Sequence, residues 1–188
     1  MISSLAPIAL ALCFLVAFAY FAFAGASAFE YDSDIDALPA LLGQSVFLCS
    51  AILGAYIIGR SGTFEWLNGM LAIGLLAASI ALYEWARRTI RGRKFHLAWT
   101  GDVPDAVCEI GPYARVRHPI YLAYLLAFLA LLVAKPGWPT AAIFLFNLAL
   151  FVQAAFGDER SLALSPLAEE YAAYKRRVGM LFPRLRRG

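Results

Sequence analysis

The sequence predicts an all-α fold: a polytopic membrane helix bundle of about five transmembrane helices with a cytosolic amphipathic helix near the C-terminus. Three observations carry this. The 188 residues are 62% hydrophobic and only 15% charged, whereas a soluble domain is about 45–50% apolar and about 25% charged. Five apolar windows, residues 5–23, 38–58, 66–83, 119–134 and 138–156, approach the roughly 17–25 residues that cross a hydrocarbon core. The cations gather between and after these windows rather than along them.

In chain order, the first window ends in Ala24-Gly25-Ala26-Ser27-Ala28, which resembles a small-residue cleavage site. No Lys or Arg precedes the apolar run and the run exceeds a signal-peptide core, so it is expected to remain as a first spanning helix. The first two windows carry no recognisable chemistry. Pro136-Gly137-Trp138-Pro139 reads as a tight turn that makes the last two windows antiparallel neighbours. Beyond them, Ser165-Pro166 has the signature of an N-cap with proline at the first helical position. Leu167, Tyr171 and Tyr174 then recur at i, i+4 and i+7 as one apolar face, and Gly179 and Pro183 bracket the end of that helix. The chain divides at this level into an N-terminal membrane part, 1–86, and a C-terminal part, 87–188, made of a polar loop, the 119–156 hairpin and the tail.

Of the 16 Lys and Arg, seven lie between Arg87 and Arg117 and seven follow the last window, leaving only Arg60 and Lys135. The positive-inside rule therefore places the N-terminus outside and the 87–118 loop and the tail in the cytosol. The acidic stretch "EYDSDID" also falls inside, which the rule permits. A net charge of +3 without a phosphate-binding or base-stacking motif gives no reason to expect nucleic acid; the cations fit membrane lipid headgroups. Cys13, Cys49 and Cys108 form no CxxC pair, so neither a disulfide nor a metal site is expected.

The concentrated chemistry is "GPYARVRHPIYLAYLL", from residue 111. Gly111-Pro112 predicts a turn, and His118, preceding a proline, is biased to an extended conformation, so a helix should begin at Pro119. Its free N–H groups from Ile120 onward sit at the positive end of the helix dipole, where an anion binds, and Arg115, Arg117 and His118 add to that field. The partner segment is "FGDERSL": Asp158 and Glu159 are costly near hydrocarbon unless they face a polar cavity or a cation. The short hairpin turn puts His118 and Glu159 at one membrane depth. Two readings stand side by side: a site for a zwitterionic ligand, or a salt bridge from Arg115 or Arg117 that pins the hairpin.

"GPYARVRHPIY" followed about forty residues later by "DERSL" and then "EEYAAYKRRVGMLFP" resembles the paired signature of the isoprenylcysteine carboxyl methyltransferase family and its phospholipid N-methyltransferase relatives, over residues 105–183. The resemblance implies an integral membrane enzyme that uses S-adenosylmethionine as cofactor and a lipophilic or lipid acceptor. It implies cofactor contacts at Val107, Cys108, Tyr113, His118, Pro119, Ile120, Tyr121, Asp158, Glu159, Tyr171 and Tyr174. Arg117 and Gln153 are the substrate-side candidates, and Glu159 or His118 the base if the acceptor is an amine. Asp158-Glu159 departs from the family's more usual Glu-Glu. Ala154 stands where the eukaryotic carboxyl methyltransferases place an arginine, which argues against a prenylated cysteine carboxylate.

The expectation is thus methyl transfer from S-adenosylmethionine to a lipophilic acceptor at a cytosolic site, with a phospholipid amine as the alternative acceptor. A non-catalytic lipid-binding protein is the alternative of another class. The oligomeric state and the role of the first two windows are open at this point.

Overall fold

The computed structural model describes residues 2–28, 34–61, 65–91 and 106–184. Six α-helices account for most of these residues: α1 (Ile2–Ala28), α2 (Asp34–Gly59), α3 (Trp66–Ile90), α4 (Pro119–Ala134), α5 (Trp138–Ala163) and α6 (Ala168–Arg177), with a single 3-10 turn at Gly111–Ala114 before α4. Among the described residues no strand forms, and the fold is the expected all-α bundle. Arg93, Lys94, Arg186, Arg187 and the acidic stretch up to residue 33 lie outside the described residues.

α1, α2, α3 and α5 are long and apolar enough to cross a membrane, and the chain is a multi-pass membrane protein. α4 is shorter, 16 residues or about 24 Å at 1.5 Å per residue. It also occupies the centre: none of its residues is exposed, and it packs against α2, α3 and α5. A helix sheltered by its neighbours need not match the full hydrocarbon thickness.

α3 meets α4 through Gly69, Ala72, Leu76, Ser79, Tyr83, Ala86 and Ile90, all buried. The alternating steps of three and four are the seven-residue repeat of left-handed helix packing. Small residues answer it from α4, where Ala123, Ala127 and Ala130 are fully buried, and the Ser79 hydroxyl donates to the Ala123 carbonyl at 2.6 Å. α2 also approaches closely: a Cβ on Gly54 would lie 2.7 Å from Leu131 Cδ1. Aromatic rings fill the middle, with Phe18 to Phe128 at 4.9 Å and Phe47 to Tyr124 at 5.0 Å between centroids.

Several boundaries differ from expectation, and α5 runs on past Phe156 to Ala163, so that Asp158 and Glu159 lie within its last turns. α3 runs on past Tyr83 to Ile90, ending on Arg87 and Arg88, which suit the negative end of its dipole; both pair with Glu84, at 2.9 and 3.2 Å. α6 begins at Ala168, with Leu167 at the cap. Ser165 and Pro166 form a turn ahead of it, in which the Leu167 N–H donates to Ser165 Oγ at 3.1 Å. The serine oxygen is used two residues early, so it stabilises the turn instead of capping the helix.

Candidate functional site

The polar end of the bundle is assembled from three segments: the start of α4, the last turns of α5, and α6 with the chain after it. Gly111 has φ +60° and a Cβ there would lie 2.6 Å from Thr89 Oγ1, so glycine lets the turn press against α3. α4 starts at Pro119 as the sequence predicts, with His118 as the N-cap at φ −122° and ψ 64°, outside the helical region though short of fully extended. After α6, Val116 bridges to Gly179, the Arg117 N–H donates to the Gly179 carbonyl at 2.9 Å and the His118 N–H to the Met180 carbonyl at 3.1 Å. The tail therefore straps the segment that leads into α4. A side chain at Gly179 would collide with the Phe182 carbonyl, 1.9 Å from an ideal Cβ.

Arg117 and Glu159 form a buried ion pair. Arg117 donates from Nε and Nη2 to Glu159 Oε1 at 2.9 and 2.5 Å, and from Nη1 to the Val178 carbonyl. The second carboxylate oxygen, Oε2, lies 2.5 Å from Lys175 Nζ, an ion pair without hydrogen-bond alignment. Lys175 is half exposed and the other two are almost fully buried, so the inner pair meets the greater desolvation cost and the stronger attraction. Asp158 sits beside it, accepting from the Tyr121 hydroxyl at 3.0 Å.

The His118 ring bridges the two carboxylates, with Nδ1 3.8 Å from Asp158 and Nε2 3.5 Å from Glu159. It stacks on Tyr121 at 5.4 Å with an interplanar angle of 5°. Tyr171 is buried against Tyr174 and Val178, with Val107 packed on the same group. Cys108 is buried with Ala86, Ile90 and Tyr113, and Ile120 packs on them. The two groups are tied by Tyr174, whose hydroxyl donates to the Tyr113 carbonyl at 2.7 Å. Burial holds the hydroxyls of Tyr113, Tyr171 and Tyr174 above the usual tyrosine value, so all three are protonated at neutral pH.

His118, Tyr121, Asp158 and Glu159 thus meet, as the spacing implies, and Arg117 joins them as the cation that pins the hairpin. Gln153 does not join them: it is exposed on the outer face of α5. Lys175 and the carbonyls of Val178, Gly179 and Met180 complete the cluster, and sequence reasoning did not single them out. A signal for Lys175 was present, since it follows Tyr171 by four residues and so shares its helical face.

The buried His118 Nε2 and Tyr171 hydroxyl have no hydrogen-bond partner among the described residues. Such atoms are costly to leave without a hydrogen bond. Among the described residues, no group of three or more His, Cys, Asp or Glu is placed to hold a metal ion.

The chain is 31% identical over 140 residues to the cobalt-zinc-cadmium resistance protein CzcN of Cupriavidus metallidurans, covering 71% of this chain and 59% of that protein. It is 30% identical over 140 residues to the nickel-cobalt-cadmium resistance protein NccN of Alcaligenes xylosoxydans xylosoxydans, covering 72% of this chain and 61% of that protein. The chain therefore spans about three-fifths of the length of these curated relatives. No family model and no solved structure matches it.

These relatives correct the functional expectation. They are metal-resistance proteins by name, and methyl transfer to a lipophilic acceptor, read from the resemblance of two motifs, gives way to that finding. The geometry offers a physical reason why the motifs mislead. Arg117, expected on the substrate side, and Glu159, expected to be catalytic, are spent on each other and hold α4, α5 and the tail together. Motif spacing alone does not separate that role from ligand binding.

Proposed function

We propose that this chain is an integral membrane component of resistance to divalent transition-metal ions, working from the charged end of its bundle on the cytosolic side. The observation that carries the reading is the similarity to two metal-resistance proteins over 140 residues. The orientation rests on the cations. Arg88, Arg115, Arg160, Arg176 and Arg177 are exposed at the end where α4 starts and α5 finishes, while Arg60 and Lys135 lie at the other. Anionic membrane lipids are the partners this face suits.

The metal ion is the stress that the system answers. What the chain contributes is the buried cluster of Arg117, His118, Asp158 and Glu159. Charges are expensive to hold at the end of a membrane hairpin.

The test is growth of a host lacking this gene in rising cobalt, zinc, cadmium or nickel, with and without the wild-type chain restored. Tolerance that falls on deletion and returns on restoration is expected for these ions and not for magnesium. Unchanged tolerance to all four ions, with the protein present in the wild-type membrane, would remove the reading.

A further inference from the structure

The outer face of α5 carries a feature that membrane lipid does not satisfy. Leu145, Phe146, Ala149 and Phe156 are exposed along it, as expected for a surface in contact with acyl chains. Gln153 is exposed in the middle of this stripe, with no hydrogen-bond partner among the described residues. The other amides of the spans are sheltered: Gln44 donates to the Ala22 carbonyl at 2.9 Å, Asn68 is half-buried, and Asn147 is fully buried and donates to the Ile143 carbonyl at 2.9 Å. Gln153 lies less than two turns before Asp158, on the hydrocarbon side of the polar end. Its amide has two donor hydrogens and an acceptor oxygen, and acyl chains offer neither donor nor acceptor.

One turn further, Gly157 is exposed on the same face, and a Cβ there would meet nothing within 4 Å. Together the pair offers a hydrogen-bonding group next to a position where another backbone can approach closely, the two ingredients that drive helix association in membranes. An amide is complementary to itself, so the partner that answers Gln153 most simply is another Gln153 across a two-fold axis along the membrane normal. Arg160, exposed two turns on, has a side chain long enough to reach lipid phosphate.

We propose that α5 is a self-association face, on which a second copy of this chain docks through Gln153 and Gly157. The reading is independent of metal resistance, because it uses only the outer surface of one helix and leaves the buried cluster untouched.

The experiment is energy transfer between donor- and acceptor-labelled full-length protein in vesicles of phosphatidylethanolamine and phosphatidylglycerol, followed as lipid dilutes the protein. The wild type should associate, and Gln153→Leu should weaken association by roughly three- to tenfold, the range that one interhelical polar contact provides. Leucine is at home on a lipid-facing surface, so this variant should fold. Gly157→Leu should weaken association as well, while Ile52→Trp, on the exposed face of α2, should not. No transfer by the wild type beyond random proximity, or association of Gln153→Leu equal to wild type, would overturn the proposal.

Discussion

Around Ala127 and Phe128, α4 is held among uncharged side chains by shape alone. At Arg117 and His118 the chain enters the same helix through a knot of charges. The first region relies on close approach: fully buried alanines against the seven-residue stripe of α3, and rings about 5 Å apart. In a bilayer, packing of this kind replaces the hydrophobic effect, because lipid is as apolar as the helix surface. The second region relies on Coulomb attraction in a low-dielectric setting, where each charge is tolerable only while its partner stays. A bundle needs the first to exist. The second is more than packing requires, and the proposed function is placed there.

The contrast can be broken most sharply at Glu159. Glu159→Ala strands Arg117 as a buried, unpaired cation and should cost about 3–5 kcal/mol, read as a fall in the thermal midpoint of the detergent-solubilised protein. Replacing both partners, Arg117→Met with Glu159→Met, should instead be nearly neutral or stabilising, since apolar side chains of similar volume avoid the desolvation cost. If the double variant is as unstable as the single one, the pair is needed for folding itself.

Next in size comes the shape-held region. Ala127→Leu puts three extra carbons where no space is left and should cost about 1–3 kcal/mol, with no dependence on salt. Gly111→Ala forces a left-handed conformation at about 1–2 kcal/mol and pushes against Thr89, so it should loosen the turn before α4, seen as faster amide exchange at Tyr113 and Val116. The smallest effect is expected at Lys175. Its half-exposed pairing with Glu159 should be worth less than about 1 kcal/mol, and Lys175→Ala should change the midpoint little and even less in high salt. A large loss there would mean that the outer cation is as important as the inner one.

Much of this was legible beforehand. Hydropathy and length found α1 to α5, four of which are long and apolar enough to cross a membrane, and His118-Pro119 fixed the start of α4 because the residue before a proline is held out of the helical region. The short turn at Pro136-Gly137 was enough to bring His118 and Glu159 together. Other features were not legible, for identifiable reasons. The choice of Arg117 over Arg115 as the buried partner depends on which side of the turn faces α5, and no spacing rule reports that; Arg115 lies instead over the Trp85 ring at 5.7 Å. The bridge from Val116 to Gly179 joins segments more than sixty residues apart. Gln153 looked like a substrate contact from its neighbourhood in sequence, yet its place on the helix turns it outward. Function was the least legible of all, because a buried charge cluster has the same sequence signature whether it binds a guest or only holds helices together.

The measurement that tests the central claim most directly uses that ambiguity. In the host lacking the gene, tolerance to cobalt, zinc, cadmium and nickel is compared between the wild type and the Arg117→Met, Glu159→Met double variant at equal membrane abundance and equal thermal stability. The account predicts a folded protein that fails to restore tolerance, because the charges and not the packing carry the function. Full restoration by the double variant would contradict it and reduce the cluster to a structural pin.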